Sequence, residues 1–211
     1  MTDSRKLTVR AGYDRMADRY ARWSASIDDE PRRRVVDAFA TQLADDARVL
    51  DLGCGAGMPT THDLARRFRV VGVDASPVQL ESARCNVPGA EFILGDFTSL
   101  DFPAGSFDGV AALYSVSHVP REEHPGLFAD VHRWLVPGGL FVANLGAEDS
   151  PDWLGEWLGE QMFFSSHAAD ENRHLLRTAG FELELDEVAV THEPEGDVRF
   201  LWVIARKPEA A

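Results

Sequence analysis

The stretch Val49-Leu-Asp-Leu-Gly-Cys-Gly-Ala-Gly57 decides the fold of this chain. A short apolar run leads into three glycines, and a stretch with helical character follows, with Pro59 near its start. Glycine adopts backbone conformations with positive φ at no steric cost, and it lets a ligand approach the backbone closely. The pattern therefore predicts a strand, a tight turn and a helix, with a ligand site at the turn, where open α/β sheets bind their ligands.

Two residues near the turn indicate which ligand it takes. A dinucleotide fingerprint needs a small third residue at position 58, where this chain has Met58. Asp51 lies two residues before the first glycine, so its carboxylate would repel a pyrophosphate and attract an ammonium group. S-Adenosylmethionine carries an ammonium and a sulfonium but no phosphate. The turn therefore favours S-adenosylmethionine over a dinucleotide such as NAD.

Strands and helices alternate along the rest of the chain. Short apolar runs, typical of strands buried on both faces of a parallel sheet, cover residues 48–52, 69–74, 90–94, 107–113 and 140–145. Helical stretches cover residues 7–23, 31–44, 60–67, 77–84, 121–135 and 170–179. Two further strands, 181–191 and 198–205, are joined by a short turn and must be antiparallel. This order predicts an α/β fold with a mostly parallel sheet and one antiparallel strand near the carboxyl terminus.

The composition excludes several classes of function. The 211 residues carry a formal net charge of −14, so most of the surface would repel phosphate backbones, and neither nucleic acid nor an anionic membrane is expected as a partner. No stretch approaches the ~18 apolar residues of a membrane span, and the charged amino terminus lacks a signal-peptide core. Only two cysteines, Cys54 and Cys85, suit a reducing compartment, which predicts a cytoplasmic protein. The excess of arginine over lysine indicates a GC-rich bacterial genome.

Two further carboxylates follow predicted strands. Asp74 ends the second strand, 21 residues after Gly53, where it can accept hydrogen bonds from both hydroxyls of a ribose. Its alternative role is that of a helix N-cap, for which Ser76 is better placed. Asp96 ends the third strand and can accept from an adenine amino group, with Phe97 packing near the base, although a plain strand-end turn is the alternative.

The ordered motifs resemble those of class I S-adenosylmethionine-dependent methyltransferases, and in spacing those of the ubiquinone/menaquinone-biosynthesis-like small-molecule subgroup. They are D-L-G-C-G-A-G at 51–57, V-V-G-V-D at 70–74, G-D at 95–96, F-D-G-V at 107–110 and L-V-P-G-G at 135–139. The resemblance spans about residues 10–145. It implies a Rossmann-like, doubly wound, seven-stranded sheet in a single domain over 1–211, with amino-terminal lid helices (about 7–44) and an aromatic insert (about 146–168). The N/D-P-P-Y/F motif of enzymes that methylate DNA or amide nitrogen is missing.

The resemblance also implies where S-adenosylmethionine binds. The glycine turn would contact the methionine end, the acid after the second strand the ribose, and the acid after the third strand the adenine. The stretch 113–119 would lie under the cofactor, and the helix with Tyr13 and Tyr20 would close over it. The residues expected to bind the cofactor are Tyr20, Asp51, Gly53, Cys54, Gly55, Gly57, Asp74, Ala75, Ser76, Asp96, Phe97, Tyr114 and Ser115.

The acceptor side is predicted from position and side-chain chemistry. His118 follows the fourth strand and titrates near neutrality, so it is the best candidate for a general base, with Tyr13 as its companion; a structural histidine is the alternative. Trp153 and Trp157, four residues apart, would share one face of a short helix in an apolar wall for the acceptor, or pack in the core or a dimer contact. The residues expected to bind the acceptor are Tyr13, Trp23, His118, Trp153, Trp157, Phe163 and Ser165.

The sequence thus predicts methyl transfer from S-adenosylmethionine to a small, hydrophobic or aromatic acceptor, by a monomer or homodimer. The histidines and cysteines show no metal-ligand spacing, so no zinc site is expected and no metal is assigned; a magnesium site made only of carboxylates is the alternative that spacing does not test. Three alternatives remain: intramolecular cyclisation of the cofactor with release of methylthioadenosine, cofactor binding without catalysis, and a nicotinamide-dependent dehydrogenase.

Overall fold

A computed structural model describes residues 3–209. Its helices are α1 (Ser4–Ala25), α2 (Glu30–Thr41), α3 (Thr60–Ala65), α4 (Pro77–Asn86), α5 (His124–Trp134) and α6 (Ala169–Thr178). Its strands are β1 (Arg48–Leu52), β2 (Arg69–Asp74), β3 (Glu91–Leu94), β4 (Phe107–Ala112), β5 (Leu135–Gly146), β6 (Ser150–Trp157), β7 (Glu160–Ser166), β8 (Glu182–Glu193) and β9 (Gly196–Arg206). Short 3₁₀ turns lie at Val116–His118 and Arg121–Glu123.

Seven strands form one sheet in the order β3-β2-β1-β4-β5-β9-β8. The pairs from β3 to β5 are parallel, and β9 is antiparallel to both of its neighbours. The predicted fold, including the single reversed strand, is therefore confirmed. The chain winds from β1 toward β3 and then returns to the other side of β1 with β4. This reversal opens a crevice at the carboxyl ends of β1 and β4, where the glycine turn lies.

The core lies on both faces of this sheet. On one face, α5 and α6 pack against the strands through side chains such as Phe128, Trp134 and Leu176. On the other face, α2 and α3 contribute Val35, Phe39 and Leu64. Both sheet faces are covered, which explains why β1, β4 and β5 read as nearly unbroken apolar runs.

The aromatic insert forms a β-hairpin, not a helix. Strands β6 and β7 pair in antiparallel register, with Trp157 opposite Glu160, and the turn residues Leu158 and Gly159 both have positive φ. The prediction that Trp153 and Trp157 lie on a helix is therefore wrong, because both residues belong to strand β6. A spacing of four residues places side chains on one face of a strand as well as of a helix, so the spacing did not distinguish the two.

Helix α1 lies over the carboxyl ends of the strands and against the hairpin. Gly12 approaches β7 so closely that a Cβ there would meet Met162 Sδ at 2.3 Å. Asp14 accepts a hydrogen bond from Ser76 Oγ at 2.6 Å, and Arg15 pairs with Glu160 at 2.5 Å. These contacts hold α1 across the crevice. Among residues 3–209, no helix is long and apolar enough to cross a bilayer.

Candidate active site

The glycine turn after β1 has a backbone that other residues would strain. Gly53, Gly55 and Gly57 have φ of 76°, 53° and 77°, in the left-handed region. A Cβ on Gly53 would also meet Ser115 Cβ, in the turn after β4, at 2.3 Å. A Cβ on Gly55 would have a single atom within 4 Å, a side-chain oxygen at 3.8 Å. The turn is therefore tightly packed on the β4 side and open at Gly55.

Asp74 fixes this turn to the start of α4. Its carboxylate accepts from the backbone N–H of Gly55 at 2.9 Å and of Ser76 at 2.8 Å. Burial raises the pKa of Asp74, and these two backbone donors oppose the rise. Ser76 is the N-cap of α4, as the sequence suggested, because its hydroxyl accepts from the Gln79 N–H at 3.1 Å. The carboxylate is held by backbone groups at the edge of the crevice.

Asp51 lies deeper, at the base of the glycine turn. It is 2% exposed and accepts a hydrogen bond from Thr61 Oγ1 at 2.6 Å. Burial raises its pKa to about 6; the Thr61 hydrogen bond opposes this shift, and the charge of Asp74 adds to it. A buried carboxylate with one hydroxyl partner is electrostatically suited to a cationic ligand group.

Two cavities lie beneath α1, of about 380 Å³ and about 1100 Å³, called here the small cavity and the large cavity. They meet at a junction whose residues line both. The junction residues are Tyr13, Tyr20, Gly53, Gly55, Gln79, Leu113, Tyr114 and His118.

The small cavity gathers the residues predicted to bind a nucleoside. Asp74, Ala75, Ser76, Asp96, Phe97 and Ser115 all line it. Lys6 of α1 reaches in and pairs with Asp96 at 3.0 Å. The Nε2 of Gln79 and the Oγ of Ser115 are buried and make no hydrogen bond within residues 3–209. These two groups are free to bind a ligand between the glycine turn and Asp96.

Tyr13 and His118 form a hydrogen-bonded pair at the junction. His118 Nδ1 lies 2.9 Å from the carbonyl oxygen of Phe163, which only accepts, so Nδ1 carries the proton. His118 Nε2, 2.9 Å from the Tyr13 hydroxyl, therefore accepts from it. Burial lowers the pKa of His118 to about 4, while the Phe163 hydrogen bond opposes the shift. The expectation that His118 titrates near neutrality is wrong, because the side chain is enclosed beneath α1.

Aromatic rings form one wall of the large cavity. Tyr20 stacks on Trp23 with ring centroids 5.9 Å apart, and Trp23 meets Trp157 edge-on at 5.0 Å. Phe164 closes the wall against His118, at 4.6 Å between ring centroids. These rings come from α1 and from the hairpin, two segments more than a hundred residues apart in sequence.

The other predicted acceptor residues are placed differently. Trp153 is 42% exposed, packs on the ring of Phe164 and is not part of either cavity wall. Phe163 is 1% exposed and also outside both walls; only its carbonyl oxygen reaches the site, through His118. Ser165 lines the large cavity, and its Oγ accepts from the Arg121 N–H at 3.0 Å. Cys54 lines the same cavity, while Gly57 lies outside both walls, behind the turn.

Several lining residues had no sequence signal. Phe164 was one of several aromatic residues in the insert, and Gln79 lies in an unremarkable helix. Asp29 caps α2 but also accepts from the Tyr114 hydroxyl at 2.6 Å, which brings its carboxylate to the large cavity. Glu193 belongs to the segment 193–196, which the sequence predicts as the turn between the last two strands. Only the tertiary contacts of β8 and β9 bring it to the site.

Comparison with known proteins identifies the domain. Residues 49–139 match the methyltransferase domain family. The segment from β1 to the start of β5 is therefore similar in sequence to methyltransferase domains, and the fold of the chain is that of S-adenosylmethionine-dependent methyltransferases. The chain is 38% identical over 107 residues to an uncharacterized methyltransferase of Synechocystis sp., a match that covers 51% of this chain and 50% of the relative. The chain spans half or less of the length of the curated relatives it matches.

Two solved structures with methyltransferase names share the fold of this chain. A putative methyltransferase of Haloferax volcanii, in complex with the Trm112 methyltransferase activator, has a TM-score of 0.76 at 20% identity, covering 96% of this chain and 99% of that one. A Burkholderia thailandensis 1,6-didemethyltoxoflavin-N1-methyltransferase, with bound 1,6-didemethyltoxoflavin and S-adenosylhomocysteine, has a TM-score of 0.70 at 24% identity, covering 95% and 87%.

The cofactor of such a domain is S-adenosylmethionine, and the residues of the crevice fit it. Gly55 leaves open space beside the backbone, and the partnerless Gln79 amide and Ser115 hydroxyl face the small cavity. The buried Asp51 carboxylate offers a counter-charge beside the glycine turn. The ubiquinone/menaquinone-like subgroup stays a prediction.

Proposed function

We propose that the protein transfers the methyl group of S-adenosylmethionine to a small molecule with an aromatic or apolar body. The observation that carries this proposal is the junction of the two cavities. One cavity has the size and polar groups for a nucleoside, the other has aromatic walls, and they meet at Tyr13, His118 and Gly53. The 1,6-didemethyltoxoflavin bound to the Burkholderia enzyme supports a small-molecule acceptor by analogy.

The residues of the small cavity would hold the nucleoside part of the cofactor. Asp74 would accept from the ribose hydroxyls, and its two backbone hydrogen bonds keep its carboxylate oriented for this. Asp96 would accept from the adenine amino group in exchange for part of its contact with Lys6. Asp51 would balance the ammonium of the methionine end.

The bound cofactor supplies an activated methyl group: the sulfur–carbon bond breaks with its electron pair on sulfur while the acceptor atom bonds to the carbon. The protein aligns the acceptor and excludes water beneath α1. Where the acceptor atom carries a proton, the Tyr13 hydroxyl would take it and pass its own proton to His118 Nε2. Burial lowers the pKa of His118 to about 4, so this nitrogen is unprotonated at physiological pH but is a weak base, and it would take the proton only as methyl transfer makes that proton acidic.

Incubation with S-adenosylmethionine and a panel of aromatic alcohols, amines and thiols tests the proposal. Mass spectrometry should detect S-adenosylhomocysteine and an acceptor heavier by one methylene unit. Methylthioadenosine formed from the cofactor alone would instead show cyclisation, and tight cofactor binding without any product across the panel would favour a binding module. Binding of NAD in place of S-adenosylmethionine in calorimetry would overturn the assignment of the crevice.

The quaternary structure and location are further proposals. The acidic composition and the low cysteine content support a bacterial cytoplasmic location without a nucleic-acid or membrane partner, and we propose a monomer or homodimer. Size-exclusion chromatography with light scattering would determine the oligomeric state.

A further inference from the structure

The large cavity carries more negative than positive charge. Six carboxylates and three arginines line it. Each of these arginines, Arg32, Arg33 and Arg199, lies within 3.6 Å of a carboxylate oxygen, so its charge is already balanced. The excess negative charge lies in a partly enclosed space with aromatic walls, where charge interactions are stronger than in water.

Glu193 is the carboxylate in this cavity that lacks a partner. It ends β8, is half-buried, and forms no ion pair with any cation in residues 3–209. The charged groups that act on it are Glu195 and Asp29, both acidic, and together with burial they raise its pKa to about 7. Taking a carboxylate out of water beside two others is unfavourable unless a cation joins them.

A second polar group on the same strand points to a ligand. Thr191 lies two residues before Glu193, so both side chains are on one face of β8. Thr191 is 2% exposed and lines the large cavity, and its Oγ1 makes no hydrogen bond within residues 3–209. A buried hydroxyl without a partner is uncommon in folded proteins, and this one lies in the cavity wall near the Tyr114 hydroxyl, where it opposes the rise that burial causes in the pKa of Tyr114.

Aromatic rings complete the surroundings of this end of the cavity. Trp23 Nε1 donates to Glu195 at 2.8 Å, which fixes the indole beside the carboxylates. Tyr20 lines the same cavity as Glu193, and after burial and Asp74 the charge of Glu193 is the next cause that raises the pKa of Tyr20 to about 12. The ring of Trp157 packs edge-on against that of Trp23 and is the third aromatic ring beside the carboxylates. Ring faces beside carboxylates are the chemistry that binds organic ammonium ions.

We propose that the acceptor is an organic amine, bound as a cation, whose ammonium group is held by Glu193 and Glu195 against the rings of Tyr20, Trp23 and Trp157. This inference rests on the proposed function and narrows its substrate class. The amine anchors one end of the acceptor, and its aromatic or apolar body extends along Trp157 and Phe164 toward the junction at Tyr13 and His118. Asp51 and Asp74, beside the glycine turn, are left to the cofactor.

The first experiment compares aromatic probes of similar size and different charge. The protein, saturated with S-adenosylhomocysteine, is titrated with phenethylammonium, benzyltrimethylammonium, 2-phenylethanol and phenylacetate, and binding is followed by calorimetry and tryptophan fluorescence. We expect both cations to bind at least about tenfold more tightly than the alcohol, and phenylacetate to bind most weakly. Equal affinity for cations and alcohol, or tighter binding of phenylacetate, would overturn the inference.

The second experiment locates the effect. Glu193→Gln should reduce the affinity for both cations by about tenfold, and should leave that for 2-phenylethanol unchanged. Glu182→Gln is the matched control, because Glu182 is an exposed carboxylate at the other end of the same strand and lines neither cavity. Cation affinity that is unchanged in Glu193→Gln contradicts the inference. Failure to bind S-adenosylhomocysteine would contradict the proposed function itself, so the two failures are distinguishable.

Discussion

The two cavities are built in different ways. The small cavity lies at the ends of neighbouring parallel strands, and its key carboxylate, Asp74, is held by backbone N–H groups close in sequence or in the adjacent turn. The large cavity is enclosed by α1, the β6–β7 hairpin and the end of β8, and its rings and carboxylates come from segments far apart. Recognition of the common cofactor is therefore encoded locally, whereas recognition of the acceptor depends on how distant segments meet.

Gly53→Ala should produce the largest effect, confined to the small cavity and the junction. Alanine would have to adopt φ near 76°, and its Cβ would meet Ser115 Cβ at 2.3 Å. Strain of this kind costs on the order of 1–3 kcal/mol before the steric clash is counted. We expect affinity for S-adenosylhomocysteine, measured by calorimetry, to fall about 100-fold or more, equivalent to about 2.7 kcal/mol.

Gly126→Ala is the control for this substitution. Gly126 lies within α5, and a Cβ there would meet nothing within 4 Å. Alanine should be neutral or raise the free energy of unfolding by up to about 1 kcal/mol, with cofactor affinity unchanged. A Gly53→Ala protein that bound the cofactor as tightly as Gly126→Ala would show that the turn does not contact it.

Asp74→Asn should have the next largest effect. The amide keeps one acceptor oxygen for the backbone of the turn, but it loses the charge that would strengthen hydrogen bonds from ribose hydroxyls. Charge-assisted hydrogen bonds contribute about 1.5–3 kcal/mol, so we expect cofactor affinity to fall by about 10- to 100-fold in calorimetry. Circular dichroism should show the fold retained, and unchanged affinity would remove Asp74 from the ribose site.

The fold followed from the sequence because its determinants are local. The apolar runs of β1, β2 and β4 and the glycine turn each specify their own structure, and the short connection between β8 and β9 requires antiparallel pairing. The insert was misassigned because its tryptophan spacing fits a strand as well as a helix. The pair Leu158-Gly159, with positive φ at both residues, was the available sign of a hairpin.

In the candidate site, too, the residues fixed by local sequence were predictable and those fixed by tertiary contacts were not. Placement of Asp74, Asp96 and Ser115 in one cavity follows from the strand ends that carry them. The acceptor side could not be placed from pattern alone: Phe163 and Trp153 turn away from the cavity, whereas Phe164 and Glu193 face it. Which of two adjacent aromatic residues faces the site depends on strand register, and a one-residue shift reverses the answer.

Tyr13→Phe tests the junction between the two cavities. The substitution removes the hydroxyl that donates to His118 Nε2 but keeps the ring that packs on Tyr20. We expect kcat for a turned-over acceptor to fall about tenfold, less than the roughly 100- to 10,000-fold of a complete general base because His118 stays in place, while the KM for S-adenosylmethionine stays constant. His118 has a pKa of about 4, so the wild-type rate should not change between pH 5.5 and 8 through this residue. An unchanged kcat would assign the pair a structural role only.

Glu193→Gln should have the smallest effect, a pH-dependent change in the free energy of unfolding. Because Glu193 lines only the large cavity, this effect tests that cavity alone. The native pKa of Glu193, about 7, is above its ordinary value of 4.5, so the folded state retains a proton that the unfolded chain releases. The contribution of this proton to the free energy of unfolding is therefore fully present below pH 4.5 and is lost as the pH rises through 7. Glutamine carries no charge, so the free energy of unfolding of the variant should match that of the wild type near pH 5 and exceed it at pH 8.

For a half-buried group the gain in unfolding free energy, measured by urea titration at pH 8, should be about 1–2 kcal/mol. A difference from wild type that stayed constant between pH 5 and 8 would contradict the unpaired state of Glu193, and Glu182→Gln, which alters an exposed carboxylate of the same strand, is measured beside it. Benzyltrimethylammonium, whose charge does not titrate, should reduce the difference at pH 8, because a bound cation stabilises the wild-type carboxylate and not the amide.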